Sequence, residues 1–117
     1  MSATGQALIW KFLMTFAIAL FTLALFDSNS WSLVLVYAIL ATVGNYLIGD
    51  LMILPAAGNL IASISDGVLA ALIAYLFDIA TTAFRSTFGT LAALAVLIAI
   101  GEYFFHGYIQ KSEKVAP

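Results

Sequence analysis

Asp50, Asp66, Glu102 and His106 are residues that a lipid bilayer resists, yet each stands inside or at the end of a long apolar run, and Lys11 interrupts another. A charge at membrane depth costs roughly 2.5–3.5 kcal/mol on insertion scales, so several near one level are expected to satisfy one another. Three chemistries could use them. Carboxylates with a histidine one helical turn from Glu102 offer hard oxygens and an imidazole to a divalent metal such as zinc or manganese, which makes Asp66, Glu102 and His106 the candidate ligands. The same groups could bind or move a cation, or pass protons through His106. A cytoplasm-facing pocket could also capture a polar headgroup or small solute, with Lys11 meeting its anionic part. Set against all three is an internal ion-pair network. In it Lys11 neutralises Asp66 or Glu102, Asp50 caps a turn, and His106 snorkels to the interface. Three carboxylates against one lysine still leave negative charge to be met by protonation, an imidazolium, backbone amides or a bound cation.

The elements that must position these groups are apolar stretches at about residues 7–26, 31–54, 60–80 and 88–109. Each is near the ~20 residues that cross a hydrocarbon core of roughly 30 Å. Between them lie Asp27-Ser28-Asn29-Ser30, Pro55-Ala56-Ala57-Gly58-Asn59 and the stretch Thr81 to Thr87, short links rich in turn and cap residues that permit only antiparallel hairpins. Ser30 and Asn59 are expected N-caps, with Gly58 ending the second helix. The first stretch lacks the basic leader and the cleavage site of a secretory signal, so it is read as a helix. The fold class expected is therefore all-α: an integral membrane, antiparallel four-helix bundle in which residues 1–117 form a single transmembrane domain.

Helical periodicity assigns the polar groups to interior faces. At 100° per residue, Thr4, Lys11, Thr15 and Thr22 share a narrow arc interrupted by Ile18, so Lys11 is expected to point into the bundle with Thr15 as a supporting polar group. On the third helix Asn59, Ser63, Asp66 and Ala70 share a face flanked by Ala62 and Ala74. On the fourth, Glu102 and His106 are one turn apart and Ala95 and Ala99 continue their face. The second helix divides: Asn45 and Gly49 face one way with Ala38 and Ala41, and Asp50 faces another with Tyr46 and Val43. The small residues are read as helix contacts, and Asn45 and the threonines as interhelical hydrogen-bonding groups. At about 1.5 Å per residue, Asp50 and Asp66 both stand within roughly 10 Å of the turn joining helices two and three, the level that Lys11, Glu102 and His106 also reach.

Composition narrows the function classes. With 64% hydrophobic and 9% charged residues in 117, a soluble globular domain is excluded. The chain has no cysteine, hence no disulfide, thiolate metal site or cysteine nucleophile, and the redox compartment stays open. A net charge of -2 gives no reason to expect nucleic acid as a partner. The lipid bilayer is the partner, and a homo-oligomer is expected because four short helices enclose little space. No tail extends past the apolar stretches except Lys111 to Pro117, so no separate soluble domain is expected. Lys11, Lys111, Lys114 and the amino terminus against Arg85 place both termini in the cytoplasm of a multi-pass cell-membrane protein. The chain carries no phosphate loop, no His-Glu-x-x-His and no Gly-x-Ser-x-Gly. A catalytic residue is thus not assigned, and a metal-dependent membrane enzyme ranks third.

The stretch Tyr46-Leu47-Ile48-Gly49-Asp50-Leu51-Met52-Ile53-Leu54-Pro55, followed by Gly58-Asn59 and Asp66-Gly67, resembles the central signature of the YndM-like family, small four-helix membrane proteins of Bacillus-type bacteria. Gly101-Glu102-x-x-x-His106 is similar to the end of that family's domain. The resemblance implies the fold and a membrane location; the family's function is unknown, so it implies no activity and no cofactor. The leading functional expectation is a small transport or channel-like protein that binds or moves a cation or proton through Lys11, Asp50, Asp66, Glu102 and His106, supported by Asn59, Ser63 and Thr15. Its rival is a structural or accessory subunit whose charged cluster holds the bundle together and docks a partner.

Overall fold

In hydrocarbon a backbone can leave no N–H or C=O unpaired, so a chain this apolar must close its hydrogen bonds within each segment, as helices. The computed structural model describes residues 2–111. Helix α1 covers Ala3–Ala19 and continues through a π-helical turn, Leu20–Ala24. Helix α2 comprises Trp31–Gly44, a π-helical stretch Asn45–Ile53 and a last turn Leu54–Ala57. Helices α3 and α4 are Asn59–Ala80 and Phe88–Lys111. All four are long and apolar enough to cross a membrane. They form the expected all-α, antiparallel bundle, with the two ends of the described chain at the same end of it. Of the groups used to orient the chain, Lys114 and the amino terminus lie outside the described residues.

The helix limits differ from expectation where local chemistry decides them. Ser2 accepts a hydrogen bond from Gly5 N at 3.0 Å, which starts α1 at residue 3 instead of 7. Ser30 caps α2 as expected, accepting from Leu33 N at 3.3 Å. Pro55 does not end α2. It occupies the first turn of the closing α segment, where a missing N–H is tolerated, and the helix runs on to Ala57. The corner is made by Gly58 alone, at φ 88°, a conformation that costs glycine little. Asn59 is therefore the first helical residue rather than the N-cap, and its side chain is released to reach α4.

Two layers fill the interior. The half away from the termini is apolar, built from Ala19 and Leu23 of α1, Tyr37 and Ala41 of α2, Ala70 and Ala74 of α3, and Leu94 and Ile98 of α4. Phe84, from the link between α3 and α4, is tucked into the same core against Tyr37 and Phe77. The Tyr37 hydroxyl donates to the Ala70 carbonyl at 2.8 Å, which lets a phenol sit there fully buried. The outer faces of all four helices are lined with exposed large apolar side chains, as a surface solvated by lipid tails requires. The other layer, nearer the termini, is polar.

The links at the far end are tied by side chains. Asn29 Nδ2 donates to the carbonyls of Leu23 and Arg85, at 3.0 and 2.7 Å, while its Oδ1 accepts from Arg85 N at 2.7 Å. Asp27 accepts from Thr87 N and from the hydroxyls of Thr87 and Thr90, and Asp78 from the amide and hydroxyl of Ser86. Asn29→Ala leaves several of these backbone groups without their partner, and a loss of about 1–3 kcal/mol is expected. Unfolding in mixed detergent micelles measures it; an unchanged midpoint would show the clasp to be dispensable.

Candidate functional site

Each helix delivers an ionisable side chain to the polar layer from a position about 8–14 Å in from the end that carries the termini, at 1.5 Å per residue. Lys11 of α1, Asp50 of α2, Asp66 of α3, and Glu102 and His106 of α4 are all fully or almost fully buried. Lys11 points inward as its stripe predicts. Its Nζ pairs with Glu102 Oε2 and lies 3.2 Å from Asp50 Oδ2 and 4.9 Å from the centre of the Phe105 ring. Asp66 is not its partner. Asp66 Oδ2 lies instead 3.0 Å from His106 Nε2, whose second carboxylate neighbour is Asp50 Oδ1 at 2.7 Å. Glu102 Oε2 stands 3.9 Å from the same nitrogen.

Two expectations are corrected here. Asp50 does not cap the turn. It is the residue that joins Lys11 to His106, because the backbone of α2 widens to i→i+5 bonding over Asn45–Ile53 and brings residues five apart onto one face. A regular helix would turn Asp50 away from Asn45; the π-helical stretch buries Asn45, Tyr46, Gly49 and Asp50 together and leaves Val43 outside. His106 does not snorkel to the interface. It is wholly enclosed, and both of its ring nitrogens are engaged.

The ring's orientation is set by Asn59 and Ser63. Asn59 Nδ2 donates to the Tyr103 carbonyl at 2.9 Å, which directs Oδ1 toward His106 Nδ1, also 2.9 Å away. Ser63 Oγ donates to the same oxygen at 3.0 Å and lies 3.2 Å from Nδ1. An amide oxygen only accepts, so Nδ1 carries a hydrogen and donates it. Nε2 is then the atom turned toward the carboxylates. A bare lone pair facing two carboxylate oxygens would be repelled, so the position between them calls for a proton, on Nε2 or on a carboxyl group, or for a metal ion.

Glycines admit this arrangement. A Cβ at Gly49 would collide with the Asp66 carboxylate, and one at Gly67 would collide with the Ala95 carbonyl. Gly67 thereby lets α3 and α4 approach closely enough for Asp66 to meet His106. Ala95 and Ala99, expected on the Glu102 face, are half-buried along this contact, while Leu94 and Ile98 hold the fully buried positions above Glu102. Thr15 is fully buried one turn from Lys11, and Asn45 lies one turn from Asp50. Among the described residues neither makes the side-chain hydrogen bond expected of it. Phe105 escaped sequence reading, its only signal being a position three residues from Glu102 on the same helix.

Asp50, Asp66, Glu102 and His106 each offer one ligand atom, and these atoms all lie within 4.8 Å of one another. Lys11 supplies one permanent positive charge against three carboxylates. The four helices thus enclose three carboxyl groups, an imidazole and one ammonium, a set of oxygen and nitrogen atoms that could hold a cation.

Comparison with known proteins yields a family and no activity. The sequence model of a family described as "Protein of unknown function (DUF2512)" matches residues 3–115. The chain is 36% identical over 69 residues to the "Uncharacterized membrane protein YndM" of Bacillus subtilis (strain 168), a match covering 58% of this chain and 38% of that protein. The chain thus spans well under half the length of that curated relative. No solved structure matches.

Proposed function

Since the chain belongs to the DUF2512 family of proteins of unknown function, which brings no activity with it, we infer its function from the enclosed centre: it binds a small cation there and moves it across the membrane. The observation that supports this reading is the charge imbalance of the buried layer. Intramembrane ionisable groups face a bundle interior, pair with one another and mark ion pathways. Here Lys11 answers Glu102 and Asp50, while Asp66 has only the His106 ring beside it among the described ion pairs. In this reading the charged layer lies on the cytoplasmic side, where the basic residues of the sequence also gather, and the cation waits below the apolar layer of Leu23, Tyr37, Leu94 and Ile98 for a rearrangement that opens it.

The accessory-subunit reading keeps one support of its own, the pairing of Lys11 with two acids from other helices, which ties α1 to α2 and α4. Sealed vesicles containing the purified protein separate the two. Uptake of a panel of cations, followed with indicator dyes, is expected to fall at least tenfold in Asp66→Asn and in Glu102→Gln. Flux equal to that of protein-free vesicles, or unaffected by both substitutions, leaves the accessory reading.

A further inference from the structure

We propose that the centre formed by His106, Asp66, Asp50 and Glu102 takes a divalent first-row transition metal ion, of the Mn2+ or Zn2+ type, with His106 Nε2 as its nitrogen ligand. This rests on the cation-binding reading and specifies the cation. The choice follows from three features that do not depend on one another.

The first is the ring's tautomer. Nδ1 donates to Asn59 Oδ1, whose own direction is fixed by the Tyr103 carbonyl. Metal-ligating histidines are held in just this way, the far ring nitrogen donating to an oxygen so that the near one presents its lone pair. The second is spacing. Nε2 lies 2.7 Å from Asp50 Oδ1 and 3.0 Å from Asp66 Oδ2, with Glu102 Oε2 at 3.9 Å. Neighbouring ligands at about 2.1 Å from one ion are about 3–3.4 Å apart, so Nε2, Asp50 and Asp66 already stand near ligand spacing, and Glu102 joins them once the four atoms, which now lie within 4.8 Å of one another, draw together around the ion. The third is a set of buried oxygens with no hydrogen-bond donor. Both oxygens of Asp66, including the Oδ2 that faces Nε2, and Glu102 Oε1 are enclosed and have no hydrogen-bond partner among the described residues. A metal ion satisfies such atoms without requiring a hydrogen.

Charge and ligand type then select the class. With the ring neutral, three carboxylates and the Lys11 ammonium leave two negative charges, which one divalent ion cancels. An imidazole among carboxylates suits Mn2+ or Zn2+, whereas Mg2+ and Ca2+ favour oxygen alone. Lys11 remains as the counter-charge on the Glu102 and Asp50 side, and Asn59 is a positioning residue for the ring.

Equilibrium binding of Co2+, Mn2+ and Zn2+ to the chelator-stripped, full-length protein in detergent tests this, with the visible absorption of Co2+ reporting nitrogen and oxygen ligation. One ion per chain is expected. His106→Gln and Asp66→Asn are expected to lower affinity at least tenfold, and Asn59→Ala, which touches no ligand oxygen, 10–100-fold. Should His106→Gln fail to fold, as judged by helical circular dichroism, Asn59→Ala carries the test. Stoichiometry well below one, affinity unchanged in the folded variants, or equal competition by K+ or Ca2+ overturns the proposal. Metal binding without flux would remove the transport reading and leave this one; flux of K+ or protons in a protein that binds none of these metals would remove this one alone.

Discussion

Lys11→Met is expected to destabilise the bundle by about 3–5 kcal/mol, because it removes one partner of a fully buried ion pair and leaves Glu102 without its cation and Asp50 with His106 alone. The methionine replaces most of the stem's volume and can still lie against Phe105, so little of the loss comes from packing. Adding Glu102→Gln to the same chain removes the carboxylate that Lys11 served. The pair is therefore expected to recover much of the lost stability, with strong non-additivity in a double-mutant cycle. Unfolding of the four chains in mixed micelles supplies the cycle. Additive losses would mean that Lys11 and Glu102 do not depend on each other, and the charged layer would lose its main internal link.

Gly67→Ala has the second largest expected effect, and it acts through the backbone. The added methyl would run into the Ala95 carbonyl and press on the Ala99 methyl, and a helix backbone cannot swing aside as a side chain can. Overpacking of this kind typically costs about 1–3 kcal/mol, and here α3 must also move away from α4. That separation pulls Asp66, Ser63 and Asn59 on one helix from Glu102 and His106 on the other, so cation binding is expected to weaken along with stability. Gly44→Ala is the control. Its Cβ would meet only Ile73 Cδ1 at 3.5 Å, an ordinary contact, so stability is expected to stay unchanged or rise by up to about 1 kcal/mol. Equal effects of the two substitutions, measured by thermal unfolding, would argue against the close crossing of α3 and α4.

Much of the fold was legible because lipid restricts the choice so strongly: four apolar runs of about spanning length, separated by short links, have few arrangements besides an antiparallel bundle. The interior stripes of α1 and α3 were legible for a related reason. Lys11, Thr15 and Thr22, and Ser63, Asp66 and Ala70, follow the regular helical period, and all are buried. Helix α2 was misread at Asp50 because a wheel drawn at a constant angle cannot show a widened π-helical stretch, and nothing in Asn45–Ile53 announces one. The link's chemistry misled at Asn59. Its cap preference was outweighed by contacts to Tyr103 and His106 on another helix, which no local rule contains. The same absence of long-range information explains why the sequence does not choose between Asp66 and Glu102 for Lys11, and why it gives no sign of the three acids and the amide that hold His106 inside.

What joins these observations is a buried layer in which three carboxyl groups meet one lysine and one histidine, and the transport of a cation through it is the central claim. Cation uptake by sealed vesicles carrying the wild-type protein, Asp66→Asn or Glu102→Gln, at one imposed membrane potential and equal protein content, tests it most directly. Uptake well above that of empty vesicles in the wild type, reduced at least tenfold in both folded variants, is the predicted result. Wild-type uptake no faster than that of empty vesicles, or equal uptake in all three proteins, would contradict it.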